Sequence, residues 1–446
     1  MKRLLLAAAM TAAGAILCAC GNTVENTISQ VTPTAPATDP TVPQTTGSTA
    51  SASTSATTTT AETSTTSTAA ATTAPAEPPE SAVFTPTESV EVYSAMTISE
   101  LIPDANVQFD DPEQKVDTSE LGEKSTKIKF TYEDYTYEKV INYTVVDTTP
   151  PLVINSGWEP YAKLGEPLDI NSIVGVADNY DRTPEIIVGG IIDTDTVGRY
   201  PLEITAVDDS GNSVSWDLEV LVMSQIPAPQ DNNERVTYED FMASHDYENV
   251  SYGIDVSAWQ TNVDYGAVKD AGCEFVLMRI GYCYSEITMD DYYERNIEEA
   301  TAADLDVGVY FYSTANSEES AREQAKWILE KLDGRELDFP IAFDWEEFGH
   351  FQKYGMNIHD VNDVFEAFCD EIEKGGYKAM LYSSRNFLQN IWENRNDRPV
   401  WLAHYVDETN YEGDFAIWQQ SAYGILNGID GDVDMNIRYN DMPLDY

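Results

Sequence analysis

Apolar residues change their spacing several times along this chain, and each change marks a different kind of structure. A short apolar run, residues 4–17, follows Met1-Lys2-Arg3 and is too short for a permanent membrane span. Residues 21–81 are dominated by Thr, Ser, Ala and Pro and carry no apolar period, which predicts a disordered stalk. From 82 to 224 short alternating runs separated by turn residues predict β-strands and no helices. After a polar connector, 225–250, strand-like runs at 252–256, 275–280, 307–312, 340–344, 379–382, 400–405 and 416–420 enclose helical patterns. Ala321, Ala325, Ile328, Leu329 and Leu332 repeat at helical spacing, as do Val361, Val364, Phe365, Phe368 and Ile372, with Gly375-Gly376 as a stop. Strands alternating with helices imply parallel pairing, in a doubly wound sheet or a barrel.

The β region contains an internal repeat. Val116-Asp117-Thr118 precedes Gly122 as Ile192-Asp193-Thr194 precedes Gly198, and strand patterns follow each glycine. Asp209-Ser210-Gly211-Asn212 predicts a hairpin turn. The stretches Val146-Asp147-Thr148-Thr149-Pro150-Pro151 and Ala206-Val207-Asp208-Asp209-Ser210-Gly211-Asn212 resemble bacterial immunoglobulin-like surface modules. That resemblance implies two small all-β modules, 82–147 and 148–224, with a spacer or wall-contact role. Asp178, Asp181, Asp208 and Asp209 are candidate Ca²⁺ ligands, but their turn positions favour solvated acids, and no metal is assigned.

Charge and cysteine narrow the partners. A net charge of −52 repels nucleic-acid phosphates and anionic membranes, so nucleic acid is excluded as a partner. Of five cysteines, Cys18 and Cys20 lie in the leader, leaving Cys273, Cys283 and Cys369, an odd set without metal-ligand spacing. Cys369 falls on an apolar helical stripe and reads as a buried small hydrophobe. Leu17-Cys18-Ala19-Cys20-Gly21 resembles the lipobox of bacterial lipoproteins. It implies a signal peptide over 1–20, lipidation of Cys20, and an extracellular protein anchored to the membrane only through that lipid.

The chemistry is carried by acids at strand ends. Asp255 closes the first strand of the C-terminal region, and Asp344 and Glu346 close the fourth in Phe343-Asp344-Trp345-Glu346. Residues two apart on a strand face the same way, with Cα atoms about 6.5–7 Å apart. Carboxylates held that close in a partly apolar cleft do not ionise independently, which leaves one proton donor and one anion. Glycosidic cleavage needs such a split. Asp-x-Glu alone is a weak signal, since strand-end acids also cap helices. Glu347, next to Glu346, is expected on the other face and is not counted as catalytic.

The surrounding motifs sharpen this. Asp255-Val256-Ser257-Ala258-Trp259-Gln260, Gly308-Val309-Tyr310-Phe311-Tyr312, Phe343-Asp344-Trp345-Glu346, Trp401-Leu402-Ala403-His404-Tyr405, Ile417-Trp418-Gln419-Gln420 and Val433-Asp434-Met435-Asn436 together resemble family 25 glycoside hydrolases, the bacterial and phage muramidases. Phe311 departs from the His often found there in that family. The resemblance covers 251–446 and implies an α/β TIM-like (β/α) barrel that cleaves peptidoglycan between N-acetylmuramic acid and N-acetylglucosamine. By the same resemblance Glu346 is the general acid, and Asp344 stabilises charge through the substrate's acetamido group. Asp255 and Asp434 position substrate and tune the pair. Tyr310, Tyr312, Tyr382, Trp401, Tyr405, Trp418 and Gln419 are the expected substrate-binding residues. Peptidoglycan glycan strands are the expected partner, with no cofactor and a monomeric state. A chitinase-like hydrolase is one alternative, although the earlier acids of that signature fall on Phe339 and Ala342. A non-catalytic wall-binding lipoprotein is the other, opposed by the presence of all four carboxylates.

Overall fold

The computed structural model describes residues 77–154, 160–226, 233–393 and 397–444. The leader, Cys20 and nearly all of the Thr/Ser-rich segment lie outside the described residues. The described residues divide into two compact units at Val146/Asp147.

In the first unit, β1 (Ser89–Glu91), helix α1 (Ile98–Leu101), β2 (Gln108–Phe109), β3 (Gly122–Tyr132) and β4 (Tyr135–Val146) form one four-stranded sheet in the order β1-β4-β3-β2. In the second unit, β5 (Leu152–Val153) pairs with β7 (Val176–Ala177). There β6 (Tyr161–Lys163), β8 (Glu185–Gly189), β9 (Gly198–Val207) and β10 (Ser213–Met223) form a sheet in the order β6-β10-β9-β8. The repeat is therefore topological. In each sheet a short first strand runs parallel to the last, and a long hairpin opened by the repeated glycine supplies the centre. Alternation along β10 buries Leu218, Val220 and Val222 and leaves Asp217 and Glu219 in water, the pattern of a sheet with one wet face. The predicted turn closes the β9–β10 hairpin, with Gly211 at φ +91°.

The rest of the second unit is built on eight strands that close on themselves. These are β12 (Val250–Val256), β13 (Phe275–Cys283), β15 (Asp306–Ser313), β16 (Ile341–Trp345), β17 (Ala379–Ser384), β18 (Val400–Ala403), β19 (Ile417–Ile425) and β20 (Val433–Tyr439). The short β11 (Val236–Thr237) and β14 (Ile287–Met289) extend the sheet at β19 and β13. Ladders run in parallel from β12 to β19, and β20 closes the ring antiparallel to both β19 and β12. Helices follow only the first five strands: α3 (Tyr265–Asp270), α4 (Tyr293–Ala302), α5 (Glu318–Leu332), α6 and α7 (Phe351–Tyr354, Ile358–Lys374), and α8 (Arg385–Asn390). The TIM-like expectation is corrected in this respect. The β18–β19 connection, residues 404–416, holds no helix, and the short β19–β20 connection is a hairpin that reverses the last strand.

Strand periodicity fixes both faces of the barrel wall. Val276, Met278, Val309, Phe311, Ile341, Phe343, Leu381 and Leu402 point outward into the main apolar cluster beneath α5 and α7. Phe275, Leu277, Phe339, Ala342, Met380, Trp401 and Ile417 fill the interior. Phe275 fits because Gly253 leaves room, and Leu277 because Gly308 does. A Cβ on Gly253 would lie 2.4 Å from the Phe275 ring, and one on Gly308 2.6 Å from Leu277. Helix α7 carries the capping box Asn357/Asp360 at its start, and Gly376 at φ +87° follows its end. Cys369 is fully buried on its apolar face, as its position in the stripe implied.

The polar connector predicted for 225–250 is partly structured instead. Val236–Thr237 joins the sheet beside β19, and α2 (Tyr238–Ser244), capped by Thr237, buries Tyr238 and Phe241 against the barrel. The signal was the apolar set Val236, Tyr238, Phe241 and Met242, too short to stand out among the acids around it.

Phe343 and Phe368 pack with ring centroids 4.8 Å apart and planes tilted by 47°, both fully buried. Phe368→Ala is expected to lower the stability of this unit by about 3–5 kcal/mol, read from urea unfolding followed by tryptophan fluorescence. A loss under about 1 kcal/mol would show that α7 is not what holds the wall.

Candidate active site

The same alternation delivers the acids. On β16, Ile341, Phe343 and Trp345 face the helices, so Ala342 and Asp344 face the interior. Trp345 is locked by its indole N–H to the Ala315 carbonyl at 2.9 Å and by the rings of Phe348, Phe351 and Trp392. Glu346 follows directly at the C-terminal mouth, where it reaches solvent, whereas Asp344 below it is buried with one carboxylate oxygen, Oδ1, unpartnered.

Asp255 on β12 and Asp434 on β20 are register partners across the antiparallel ladder, which brings two like charges together on one face. Asp255 is held by two amides: Gln419 Nε2 and Asn436 Nδ2 each donate to its Oδ2 at 2.8 Å. Gln419 is oriented in turn by the Tyr382 and Tyr405 hydroxyls, which donate to its Oε1 at 2.9 and 2.8 Å. Trp401 Nε1 donates to Asn436 Oδ1 at 2.8 Å. One connected network thus joins strands β12, β17, β18, β19 and β20 around a single carboxylate.

Burial pushes the Asp255 carboxyl up to about 6, with its two amide donors opposing. Burial also raises Asp344 well above the carboxylate range, reinforced by the Glu346 charge and opposed by the Arg279 guanidinium. Asp434 is raised by burial and then by Asp255. Glu346 is pushed up to about 7 by the surrounding protein and by Glu347, and because water at the mouth screens part of this, 7 is a ceiling. Four carboxyls in one pocket therefore hold protons that solvated acids release.

The expected aromatic residues divide into groups. Tyr310, Tyr312, Tyr382 and Tyr405 face the interior or its mouth. Trp401 also points inward but is 1% exposed, packed against Tyr310 and Tyr382, and so lies under the site as its floor. Trp418 is not part of it. The residue sits on the outer face of β19, 1% exposed, edge-on to His245 and donating its indole N–H to the His404 carbonyl. Gln419 faces inward, and strand neighbours point to opposite faces, so the two cannot share a wall. Phe311 is likewise an outward residue, against Trp327, and its departure from the family pattern leaves the interior unchanged.

Several contributors escaped the sequence reading. Arg279, inward on β13 and 6% exposed, is bound to the buried Asp290 at 2.8–2.9 Å and is the cation that opposes the Asp344 shift. Asn436 was visible only as part of a motif. Tyr284, exposed at the mouth, bridges Tyr282 and Tyr312 with centroids 5.4 Å apart on each side. Glu347 accepts hydrogen bonds from the Tyr312 and Tyr354 hydroxyls at 3.2 and 2.8 Å and contacts His350. Burial works to raise the Glu347 carboxyl, but those donors bring it below its usual value, so it stays an anion that fixes Tyr312. Two surface concavities of about 650 and 550 Å³, one beside Asp264 and Arg295 and one at the opposite end of the barrel near Phe339, touch none of the four acids. Among the described residues the group of acidic side chains spaced to hold a metal ion, Asp147, Asp178 and Asp208, lies outside the barrel interior.

The sequence model of glycosyl hydrolases family 25 matches residues 254–429. The chain is 30% identical over 188 residues to the autolytic lysozyme of Clostridium acetobutylicum, covering 41% of this chain and 54% of that protein. It is 31% identical over 193 residues to the uncharacterized protein YegX of Escherichia coli K12, covering 42% of this chain and 68% of that one. The spore cortex lytic enzyme SleM of Clostridium perfringens superposes with a TM-score of 0.39 at 18% identity, over 44% of this chain and 69% of that chain. The chain thus spans about half the length of the first of these relatives.

Carboxyls held above their unfolded values, about 4, keep protons in the folded chain that the unfolded chain has released. Their contribution is therefore most favourable below about pH 4 and is lost as pH rises through the folded values. Asp344→Asn removes one such group. At pH 8 it is expected to raise the thermal midpoint of the barrel by roughly 2–4 °C, the shift of about 1 kcal/mol for a unit of this size. At about pH 3, below the unfolded carboxyl value, the group is protonated in both states and the difference from the unmodified chain should vanish. Differential scanning calorimetry at the two pH values checks this, and a gain confined to the acidic side would contradict it.

Proposed function

Because the chain belongs to glycosyl hydrolases family 25, we propose that its barrel is a muramidase acting on peptidoglycan, cleaving the β-1,4 bond between N-acetylmuramic acid and N-acetylglucosamine. The observation that carries this reading is the Asp344/Glu346 pair, held on one inward face at the open end of the barrel with both carboxyls raised. The similarity to an autolytic lysozyme supports the choice of substrate.

Glu346 protonates the bridging oxygen as the bond from C1 of N-acetylmuramic acid breaks, so the leaving sugar departs neutral. The carbonyl oxygen of the 2-acetamido group closes on C1 from the other face. Asp344 accepts the acetamido N–H on its unpartnered Oδ1 and balances the positive charge that develops. Burial favours the protonated form of Asp344, and a bound N–H donor favours its ionised form. The Glu346 carboxylate then takes a proton from the water that opens the ring, which restores the acid. Asp255, Asp434, Gln419 and Asn436 hold the sugar's polar groups and each other. Tyr310, Tyr312, Tyr382 and Tyr405 line the cleft, and Trp401 supports it from below.

In the same reading, Cys20 carries a lipid anchor and the Thr/Ser-rich stalk lifts the folded parts into the wall. The two sheets are immunoglobulin-like spacers, and their shared strand order supports a common origin.

Glu346→Gln should reduce release of soluble fragments from labelled cell walls by about 10²–10⁴-fold with an unchanged or higher thermal midpoint. The unmodified protein should lose turnover as pH rises toward and past 7, where Glu346 gives up its proton. Wild-type turnover in a folded Glu346→Gln variant would remove the acid assignment.

A further inference from the structure

Outside the barrel, Asp147 and two acids of the second β module are buried together. Asp147, Asp178 and Asp208 are 7%, 1% and 5% exposed, and one oxygen of each lies within 4.8 Å of the others. Their hydrogen-bond donors are neutral. Asp147 Oδ1 accepts from Thr149 N and Asn179 Nδ2, Asp178 Oδ1 from Tyr180 N and Asp181 N, and Asp208 from the backbone and side-chain nitrogens of Asn212. These bonds orient each group but leave the negative charge in place. Three oxygens remain buried with no partner: Asp147 Oδ2, Asp178 Oδ2 and the side-chain oxygen of Asn179. An orphaned buried oxygen on a carboxylate is costly, and two beside a third acid are not accounted for by packing.

We propose that Asp147, Asp178 and Asp208, with the Asn179 carbonyl, form a Ca²⁺ site that pins the second β module to the barrel. Oxygens around one Ca²⁺ at about 2.3–2.6 Å are at most about 5 Å apart, which matches the observed spacing. An all-oxygen donor set without His or Cys selects a hard cation, and carboxylates offered by loops suit the flexible coordination of Ca²⁺ better than the strict octahedron of Mg²⁺. The sequence had offered Asp178, Asp181, Asp208 and Asp209. Asp181 is instead a turn residue, its oxygens taken by Thr183 N and Asp209 N, and Asp209 enters only through that backbone amide.

The consequence for the barrel follows from the segment after Asp178. The Asp178 carbonyl accepts from Ile358 N at 2.7 Å and the Tyr180 carbonyl from Asn357 Nδ2 at 2.8 Å, both at the start of α7. Arg182 binds Asp360 through two hydrogen bonds at 2.7 and 2.8 Å, and Gln352 Nε2 donates to the Pro184 carbonyl. A cation that fixes Asp178 fixes the strap that holds the N-terminus of α7, the helix packed on the strand bearing Asp344.

The test is calorimetric titration of chelator-treated full-length chain with CaCl₂ in about 0.15 M KCl, which screens diffuse binding to the acidic surface. Expected is one saturable equivalent with a dissociation constant of about 1 mM or tighter, a weaker response to MgCl₂, and a higher thermal midpoint of the barrel with Ca²⁺. Asp178→Asn and Asp208→Asn should each abolish the saturable heat, while Glu346→Gln keeps it. If Asp178→Asn does not fold, Asp208→Asn carries the comparison. No saturable heat up to about 10 mM Ca²⁺, or heat that survives in a folded Asp208→Asn variant, would overturn the site.

Discussion

Four carboxyl groups converge inside one end of a closed barrel, and holding them there against desolvation and mutual repulsion is the constraint from which the other features of this unit follow. Raising Asp255 to about 6 alone corresponds to about 3 kcal/mol at neutral pH. One or two fully buried aromatic side chains on the outer face of the wall, at about 1.5–3 kcal/mol each, are enough to offset that. The wall supplies many more, from Phe343 and Trp345 on β16 to Phe365 and Phe368 on α7. The acids and their supports alternate along the same strands, so the pleat that exposes Asp344 to the interior also buries its neighbours.

The polar layer is arranged to limit the repulsion without removing it. Arg279 is tied to Asp290 beneath the pocket and opposes the rise of Asp344 without pairing with it. Gln419 and Asn436 both donate to one oxygen of Asp255, and each is fixed by aromatic hydroxyl or indole groups. Asp344 is left with an open acceptor. A pocket of this kind favours the protonated form of its carboxyls and offers acceptors to a ligand that brings its own donors.

Period-two alternation made the strands and the strand-end acids legible in the sequence, and it placed Asp344 on the inward face of β16. The limits of that reading have physical reasons. Trp418 and Gln419 stood together in a motif, yet adjacent strand residues diverge, and applying the alternation there would have separated them. The missing helices after the sixth and seventh strands were not conveyed by the motif spacing: residues 404–416 carry Asp407, Asn410, Gly413 and Asp414 and stay irregular, and the seventh strand turns directly into a hairpin. Arg279 lay in an apolar run, and its inward direction shows only once β13 is paired with β15. The Asp147 cluster joins residues far apart in the chain, so turn composition suggested two of its three acids and missed the third.

The central claim is that these acids cut a glycan, and the products of the cut test it directly. Purified peptidoglycan digested with the full-length protein, then analysed by mass spectrometry after borohydride reduction, should yield fragments ending in reduced N-acetylmuramic acid. Fragments ending in reduced N-acetylglucosamine, or no fragments from a folded protein, would contradict the account.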